Sequence, residues 1–443
     1  MEGFIAAKAL CSLSDMTNSK WYLEIVIYSC WFRIQKMISR VKIISRCASR
    51  EVLAASGEFP AVLVTGARQV GKTTLLREAA ESGRRFVSLD ALPVRDLSRR
   101  DPGAFLQAYP PPVIIDEIQY APQLLPHIKA IIDEEPNLCG RFWLSGSQQF
   151  HLMKNVSESL AGRVAIINLG GISQGEEKGR VDDGPFSTAE VSFDKTFDGI
   201  VDIFGRIHRG SFPALVSGRI KNRQRFYDSY VRTYIERDVH DLAKVSDENR
   251  FFMFLRAAAA RTGQLLNLSE LARDVGVSMP TAKDWMGVLE ASNIVWLLRP
   301  YSRNVTSRIA KTPKLYFLDT GLCSHLLGWD SPTTLMNGAM AGAMLETFAI
   351  VEILKRFWNS GRTPRLFFYR DRIGAEIDLL IERDGIIEPI EVKRSTNPVP
   401  SDVKAFKKVA ELGFELGRGA VVCPAERALP LTDGVVVFPV GAL

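Results

Sequence analysis

Several classes of protein are excluded by what this sequence lacks. Its six cysteines are scattered and none forms a CxxC pair, so the chain offers neither a disulfide framework nor a zinc ribbon. A reducing compartment fits this usage best. The best apolar segment, residues 25–32, lies between Glu24 and Arg33 and falls far short of the roughly 18 residues of a membrane span. The N-terminus lacks the order of a signal peptide, so we expect a cytoplasmic protein without membrane contact.

Histidine-based sites are equally absent from the sequence. The five histidines are dispersed without HxxxH or HExxH spacing, and no Ser/His/Asp or Cys/His arrangement is legible. Hydrophobic residues make up 46% and charged residues 24%, which excludes a chain disordered throughout. At about 100–200 residues per domain, the 443 residues predict several domains. The net charge of +6 permits phosphate-rich partners without establishing one.

The strongest motif is a glycine-rich loop between an apolar strand, residues 61–65, and a helix over residues 72–82. It matches GxxxxGK[ST], in which backbone N–H groups surround a phosphate chain. Lys72 is expected to reach the terminal phosphates of ATP, and the hydroxyl of Thr73 to bind Mg²⁺. A fortuitous glycine-rich turn is the alternative. The candidate nucleotide contacts are Gly66, Ala67, Arg68, Gln69, Val70, Gly71, Lys72, Thr73 and Thr74.

A second apolar strand, residues 113–115, is followed by two adjacent carboxylates, Asp116 and Glu117. This pattern resembles a Walker B element. Asp116 is expected to hold Mg²⁺ through water, and Glu117 to polarise the attacking water. A mere nucleotide-binding protein needs no such base, so the pair favours ATP hydrolysis.

Two further residues are candidates for catalysis. Ser147 follows a third buried strand, residues 141–144, and is our choice as sensor of the γ-phosphate, with Ser145 as its rival. An ordinary polar turn at the strand end is the alternative. Arg163 follows in SLAGR, and it is predicted to stabilise transition-state charge in its own subunit or in a neighbour's. A surface arginine is the plainer interpretation.

Carboxylates and a lysine also alternate near the C-terminus. Asp378 lies on one predicted strand, Glu391 and Lys393 lie on the next, and Glu346 lies on an upstream helix. This is the D…ExK pattern of metal-dependent nucleases, in which Asp378, Glu391 and Glu346 would bind a second Mg²⁺ and Lys393 would orient or activate water. Such residues also alternate on many exposed strands, so the pattern alone is weak.

The middle of the chain predicts a helix-turn-helix with a wing. Asn267 and Ser278 suit the starts of two short helices, and residues 294–298 begin a strand. The stretch 299–318 contains five cations and no acid, which favours contact with DNA. A solvated wing or a docking face are the alternatives. The cations are Arg299, Arg303, Arg308, Lys311 and Lys314.

The motifs TGARQVGKTTLL, VIIDEIQ, FWLSGSQ and SLAGR, together with SFPALV, YIERDV, PKLYFLDTGL and FYRDRIGAEIDLLIE…IEPIEVK, resemble the AAA+ ATPases that carry a DUF4143 C-terminal region. The resemblance covers residues 38–400. It implies an α/β protein with a P-loop NTPase parallel sheet core, a helical and winged-helix middle, and a C-terminal restriction-endonuclease-like domain of the PD-(D/E)xK type. It also implies that Arg237 reaches nucleotide or a neighbour, a structural ion pair being equally possible. Together with Arg163, it favours a homo-oligomer.

These patterns divide the chain into a disordered or non-native N-terminal extension at 1–36, an ATPase domain at 37–218, a helical lid and winged-helix region at 219–330 and a nuclease-like domain at 331–443. An amphipathic helix that docks on the body is the alternative for residues 1–36. The leading hypothesis is an ATP-hydrolysing AAA+ enzyme that couples its nucleotide state to the C-terminal domain. A nucleic-acid-binding switch without cleavage and an ATP-gated, metal-dependent DNA nuclease are the alternatives.

Overall fold

The computed structural model describes residues 43–147, 156, 158–181, 184–234, 247–301, 312–371, 374–411 and 413–443. The predicted N-terminal extension and Arg237 lie outside these residues. Three cations of the basic stretch, Arg303, Arg308 and Lys311, also lie outside them. Residues 44–443 form one compact unit. Within the described ranges, no helix is both long enough and apolar enough to cross a bilayer.

The N-terminal part contains a five-stranded sheet in which every neighbouring pair is parallel. The strand order is β2-β3-β4-β1-β5. Because parallel strands need crossover connections, helices separate them and cover the sheet. The strands are β1 (Ala61–Thr65), β2 (Arg85–Ser88), β3 (Val113–Asp116), β4 (Phe142–Gly146) and β5 (Val164–Asn168).

Side chains of β1 alternate between two apolar cores. Ala61 and Leu63 belong to one core, and Val62 and Val64 belong to the other. Strand residues point alternately to the two faces, so both faces of this sheet are buried. The helices of this part are α1 (Ala48–Glu58), α2 (Lys72–Ala79), α3 (Leu92–Arg100), α4 (Pro102–Ala108) and α5 (Leu124–Glu134), with a 3₁₀ turn at Ile118–Tyr120.

The middle of the chain is mainly helical. Asn267 and Ser278 each accept a backbone N–H with the side chain at the start of a helix, which is the role predicted for both. The segments are α6 (Gln174–Glu177), α7 (Ile200–Arg209), α8 (Pro213–Val216), α9 (Arg223–Tyr234), α10 (Glu248–Ala259), α11 (Leu268–Val275), α12 (Met279–Ala291), α13 (Thr320–Leu326) and α14 (Pro332–Asn337), with a 3₁₀ turn at Thr188–Glu190.

A second, mixed sheet has ten strands in the order β14-β15-β13-β11-β10-β9-β7-β8-β6, with β12 paired to β11. Its strands are β6 (Gln264–Leu265), β7 (Val295–Pro300), β8 (Lys314–Phe317), β9 (Leu366–Arg370), β10 (Glu376–Arg383), β11 (Ile386–Val392), β12 (Glu415–Leu416), β13 (Gly419–Cys423), β14 (Leu429–Thr432) and β15 (Val435–Pro439). The remaining helices are α15 (Ala341–Asn359) and α16 (Phe406–Glu411), with 3₁₀ turns at Pro400–Val403 and Val440–Ala442.

The strand predicted as part of a wing belongs to this sheet. β7 pairs antiparallel with β8 and parallel with β9, where Arg299 lies opposite Phe367. One sheet therefore crosses the domain boundary that we placed at residue 330. Hydrogen bonds between strands far apart in sequence decide this pairing, and local sequence patterns carry no information on them.

Residues 170–200, which their polar composition predicts to be a loop or insertion, are partly buried. Ser173, Gln174 and Glu176 are at most 5% exposed. Ser173 caps α6 in a capping box, in which its hydroxyl accepts the N–H of Glu176 and the Glu176 carboxylate accepts the N–H of Ser173. Reciprocal capping and ion pairing compensate for the burial of these polar groups, so polarity alone did not indicate exposure.

Candidate nucleotide-binding site

The loop between β1 and α2 needs glycine at two places. Gly71 immediately precedes α2 with φ 96°, in the left-handed region that glycine adopts without strain. Gly66 has φ 153°, and a Cβ atom at this position would collide with the carbonyl oxygen of Leu169. Close packing of the loop against the residues after β5 therefore excludes any side chain at position 66.

The side chain of Lys72 folds back over this loop and contacts it. Its side chain is nearly buried, at 5% exposed. Its Nζ donates hydrogen bonds to the carbonyl oxygens of Gly66 at 2.9 Å and of Ala67 at 2.8 Å. The ammonium group therefore lies within the curve of the loop, where a bound phosphate chain would replace these carbonyls as its partner.

The first turn of α2 and the end of β3 meet beside the loop. The Thr73 hydroxyl donates to Asp116 Oδ1 at 2.8 Å, and Ser145 on β4 donates to the same oxygen. Ser88 at the end of β2 lies 3.4 Å from Asp116 Oδ2. A hydroxyl and a carboxylate in contact are oxygen donors of the kind that Mg²⁺ prefers, so these residues fit the predicted ion.

Glu117 is held beside Asp116 by three polar residues. Its backbone has φ 59°, a left-handed conformation uncommon for glutamate, and its N–H donates to Ser145 Oγ at 3.2 Å. Ser147 Oγ donates to Glu117 Oε2 at 3.2 Å. The Gln119 amide donates to Ser147 Oγ at 3.1 Å and also to Glu117 Oε2. Sequence reasoning missed Gln119, whose only signal is its place two residues after Glu117.

The position of Ser147 follows from the strand order. β4 lies between β1, which carries the loop, and β3, which carries Asp116 and Glu117. Because carboxyl ends of parallel strands meet at one edge, the residues that follow β4 lie between the two motifs. The Ser145 hydroxyl donates to the Asp116 carboxylate and accepts the backbone N–H of Glu117, whereas the Ser147 hydroxyl donates to the Glu117 carboxylate. The two rival serines therefore donate to different carboxylates.

Arg163 lies at the N-terminal end of the parallel strands, opposite the end that carries the loop. Its carbonyl accepts the N–H of Ala61 at 3.1 Å, at the start of β1, and its side chain pairs with Asp133 at 2.5 Å. At about 3.3 Å per residue, the five residues of β1 separate this point from the loop by roughly 16 Å. Arg163 therefore does not reach the site of its own chain, which corrects that part of the prediction.

A small pocket opens beside the loop. Ala67 and Val70 of the loop form part of its wall, and Phe212 and Tyr230 from the helical part add aromatic surface. Other lining residues include Leu169, Asn293, Asp319, Lys355 and Trp358. The cavity is concave, mostly apolar and supplied with a few polar groups, which are the usual properties of a small-molecule pocket.

The C-terminal carboxylates surround a lysine. Lys314 Nζ lies 2.7 Å from Glu376 Oε1, 3.2 Å from Glu346 Oε1 and 3.3 Å from Asp378 Oδ1. Tyr316, on the same face of β8, donates to Glu346 Oε1 at 2.6 Å. The signal in the sequence was the alternation of Lys314 and Tyr316 along one strand, which places both on one face.

The other half of this cluster contains the ExK pair. Lys393 Nζ pairs with Glu391 Oε1 at 2.6 Å, and the N–H of Val392 donates to Asp378 Oδ2 at 3.0 Å. Burial, together with the nearby charge of Asp378, raises the pKa of Glu346 to about 7 and the pKa of Glu391 to about 7. The surrounding carboxylates hold the pKa of Lys314 above its ordinary value, so this lysine remains charged.

The second metal site predicted at Glu346, Asp378 and Glu391 stays a prediction, and Lys314 contacts two of its three acids. In the part of the chain that the structure describes, no group of three or more His, Cys, Asp or Glu side chains is arranged to hold a metal ion. The ammonium of Lys314 lies among the acids and supplies positive charge there. Lys314 was also predicted to contact DNA, but it is only 3% exposed, so it is not available to a phosphate backbone.

The parallel sheet, its glycine-rich loop and the adjacent Thr73–Asp116 pair define a P-loop domain of the AAA type. Three family models match the chain: an AAA domain over residues 58–177, a domain of unknown function (DUF8612) over 201–333 and another (DUF4143) over 341–443. The chain belongs to the family of AAA-domain proteins with a C-terminal DUF4143 region, which confirms the resemblance seen in the motifs.

Two curated relatives resemble the chain over most of its length. They are the uncharacterized proteins Rv2008c of Mycobacterium tuberculosis and Mb2031c of Mycobacterium bovis. Each is 30% identical over 402 residues, which cover 91% of this chain and 85% of the relative.

Solved structures resemble the chain more distantly. The Walker-type ATPase PABY2304 of Pyrococcus abyssi is 17% identical with a TM-score of 0.39, covering 64% of this chain and 96% of that one. RuvB of Thermotoga maritima is 17% identical with a TM-score of 0.29, covering 56% and 86%.

Proposed function

We propose that this chain binds ATP with Mg²⁺ and hydrolyses it. The observation that carries the proposal is the contact of Thr73 with Asp116 at 2.8 Å beside the loop, with Glu117 next in sequence. When bound, Mg²⁺ would neutralise phosphate charge at these oxygens. The backbone N–H groups of residues 66–73 and the ammonium of Lys72 bind the phosphate chain. Glu117, oriented by Ser147 and Gln119, takes a proton from the attacking water.

The adjacent cavity suits the nucleoside part of the substrate. Its apolar wall begins at Ala67 and Val70, on the loop itself, and its aromatic side chains can pack against a base. We infer that the base lies there, because the phosphates are held on the same loop. With the base in this pocket, the terminal phosphate points toward the ends of β3 and β4, where Glu117 and Ser147 lie.

The experiment compares turnover and nucleotide binding in the wild type, Lys72→Ala and Glu117→Gln. Lys72→Ala is expected to lose binding of a fluorescent ATP analogue. Glu117→Gln is expected to keep binding and to lose about 10²–10⁴-fold in turnover, because it retains the shape of the site without the base. Glu134→Gln changes an exposed glutamate on α5 and serves as the matched control. If the wild type binds ATP but shows no measurable turnover with or without DNA, the hydrolysis proposal is overturned in favour of a nucleotide-dependent switch.

For the C-terminal domain we propose a nucleotide-coupled role without metal-dependent cleavage. The supporting observation is Lys314, whose ammonium lies within 3.3 Å of two carboxylates of the predicted metal centre, Glu346 and Asp378, and of the neighbouring Glu376. Asp378→Asn is then expected to leave DNA intact at the same level as the wild type in Mg²⁺ or Mn²⁺. Metal-dependent strand breakage by the wild type that disappears in Asp378→Asn would restore the nuclease hypothesis.

DNA contact and self-assembly remain predictions. Among the described cations of the basic stretch, Arg299 is exposed and Lys314 is not. Arg163 is partly exposed at the edge remote from its own loop, so a role in catalysis requires a neighbouring subunit. Sedimentation of the protein with and without ATP, repeated with Arg163→Ala, tests self-assembly.

A further inference from the structure

A buried arginine upstream of α1 contacts the phosphate-binding loop. Arg46 is 8% exposed, and its Nη1 donates to the carbonyl oxygen of Val70 at 2.8 Å. Its Nη2 donates to the carbonyl oxygens of Gly170 at 2.8 Å and Gly171 at 3.4 Å. One guanidinium group therefore joins the loop to the residues that follow β5.

This contact bears on how the loop binds anions. A phosphate-binding loop needs its N–H groups directed inward, so some of its carbonyl groups must point outward and find other donors. Arg46 provides that donor for Val70, next to Gly71 and the start of α2. The planar guanidinium presents several donors in fixed directions, which a single ammonium group does not reproduce.

The charge of Arg46 is neutralised by Glu176. Arg46 Nε lies 3.0 Å from Glu176 Oε1, and the Glu176 side chain is fully buried. The backbone N–H of Cys47 donates to the same oxygen at 2.9 Å, and that of Ser173 donates to Glu176 Oε2 at 2.9 Å. Arg46 is thus held in place by a matched partner.

The same network reaches the helix that begins the DUF4143 region. Asn359 at the end of α15 donates to Glu176 Oε1 at 3.4 Å. The N–H of Gln174 donates to Glu352 Oε2 at 2.8 Å, and Lys355 Nζ donates to the carbonyl of Ile172 at 3.2 Å. All of these side chains are nearly buried, so hydrogen bonds link α15 through α6 to Arg46 without a solvent gap.

We propose that Arg46 and Glu176 form a positioning pair that holds the loop in its nucleotide-binding conformation and connects it to α15. The inference rests on the proposed function and deepens it, because it names the residues through which bound nucleotide acts on the C-terminal domain. Neither residue touches the substrate. Their effect on nucleotide affinity passes through the carbonyl of Val70.

The test measures nucleotide affinity, KM and kcat for Arg46→Ala, Arg46→Lys and Glu176→Gln. Loss of charge-assisted hydrogen bonds to the loop is expected to weaken ATP binding by about 10–100-fold in Arg46→Ala. Arg46→Lys, which retains the charge, is expected to recover part of the affinity. In both variants KM rises more than kcat falls. Arg356→Lys is the matched control, because Arg356 is equally buried but contacts Gly184 and Glu190 instead of the loop.

Hydrogen exchange of α15 provides the second readout. ATP is expected to slow exchange in residues 341–359 of the wild type and of Arg356→Lys, and to have little effect there in Arg46→Lys and Glu176→Gln. A merely structural pair would lower thermal stability in all variants without this selective loss. Wild-type affinity in both Arg46 variants, or ATP-dependent protection that persists in them, overturns the inference. Absence of nucleotide binding by the wild type overturns the proposed function itself, so the two failures are distinguishable.

Discussion

At the level of single residues, backbone geometry restricts the loop more tightly than the P-loop pattern alone implies. Gly66 is required because the loop packs against the carbonyl of Leu169. Glu117 is held in a left-handed conformation beside Asp116. Strain of this kind persists where surrounding contacts compensate for it, and here Ser145, Ser147 and Gln119 supply those contacts.

Gly66→Ala is expected to abolish nucleotide binding and to lower stability, because its methyl group would displace the residues after β5 or distort the loop. Gly57→Ala serves as the control. A Cβ atom at position 57 meets nothing within 4 Å, and alanine at this helical position is expected to stabilise the protein by about 0.5–1 kcal/mol. Binding of a fluorescent ATP analogue and the free energy of unfolding in urea check both expectations. Wild-type affinity in Gly66→Ala would contradict the packing argument.

At the level of strands and helices, the C-terminal centre depends on which strands become neighbours. β8 brings Lys314 and Tyr316 to α15 and β10, which carry Glu346 and Asp378. Removing one member of such a buried pair leaves an uncompensated charge, whose typical effect is a loss of about 3–5 kcal/mol. The D…ExK letters alone did not reveal that a lysine from a distant strand would enter this cluster.

Glu346→Gln is expected to flatten the dependence of stability on pH. The folded protein raises the pKa of Glu346 to about 7 from 4.5, so the folded state binds this proton more tightly than the unfolded state does. The stabilisation is therefore complete below pH 4.5 and is lost as the pH rises toward 7. Glutamine cannot ionise and keeps an acceptor for Tyr316.

The free energy of unfolding in urea, measured at several pH values from 5 to 8, checks this expectation. The wild type should lose stability over this range, and Glu346→Gln should lose less. Glu134→Gln, on the exposed surface of α5, is the control. An unchanged pH slope in Glu346→Gln would show that Glu346 does not titrate in the folded protein as described.

Across residues 44–443, one apolar core joins parts that the sequence suggests are separate domains. The core that contains Val62 of β1 also contains Phe254 of α10, Ile353 of α15 and Phe438 of β15. Because these parts share buried surface, none can unfold without exposing the surface of the others.

We therefore expect these residues to unfold in one cooperative transition. Trp143 on β4 and Trp285 on α12 lie in that core and report on the P-loop sheet and the helical middle. Fluorescence of the full chain, compared with Trp143→Phe and Trp285→Phe, should give coincident urea midpoints for both probes and for circular dichroism. Two resolved midpoints would show that the middle unfolds independently.

Contiguous motifs were sufficient to predict the α/β class, the P-loop sheet, its membership in the AAA group and the DUF4143 region. Residues 66–73 are informative because they lie in the turn between one strand and one helix, and residues 116–117 because they lie at the end of one strand. The helix starts at Asn267 and Ser278 were also readable, since a cap acts within one turn. The winged-helix and PD-(D/E)xK assignments stay predictions.

The remaining contacts, such as the ion pairs of Arg46 and Lys314, depend on the tertiary structure, because they join residues far apart in sequence. Arg46 and Glu176 are 130 residues apart, and Lys314 and Asp378 are 64 apart. Whether a charged side chain is solvated, paired or buried depends on which elements pack against it, and a local pattern does not contain that information. For this reason Lys314 was assigned to a DNA-binding surface, and the polar segment around Ser173 to a loop.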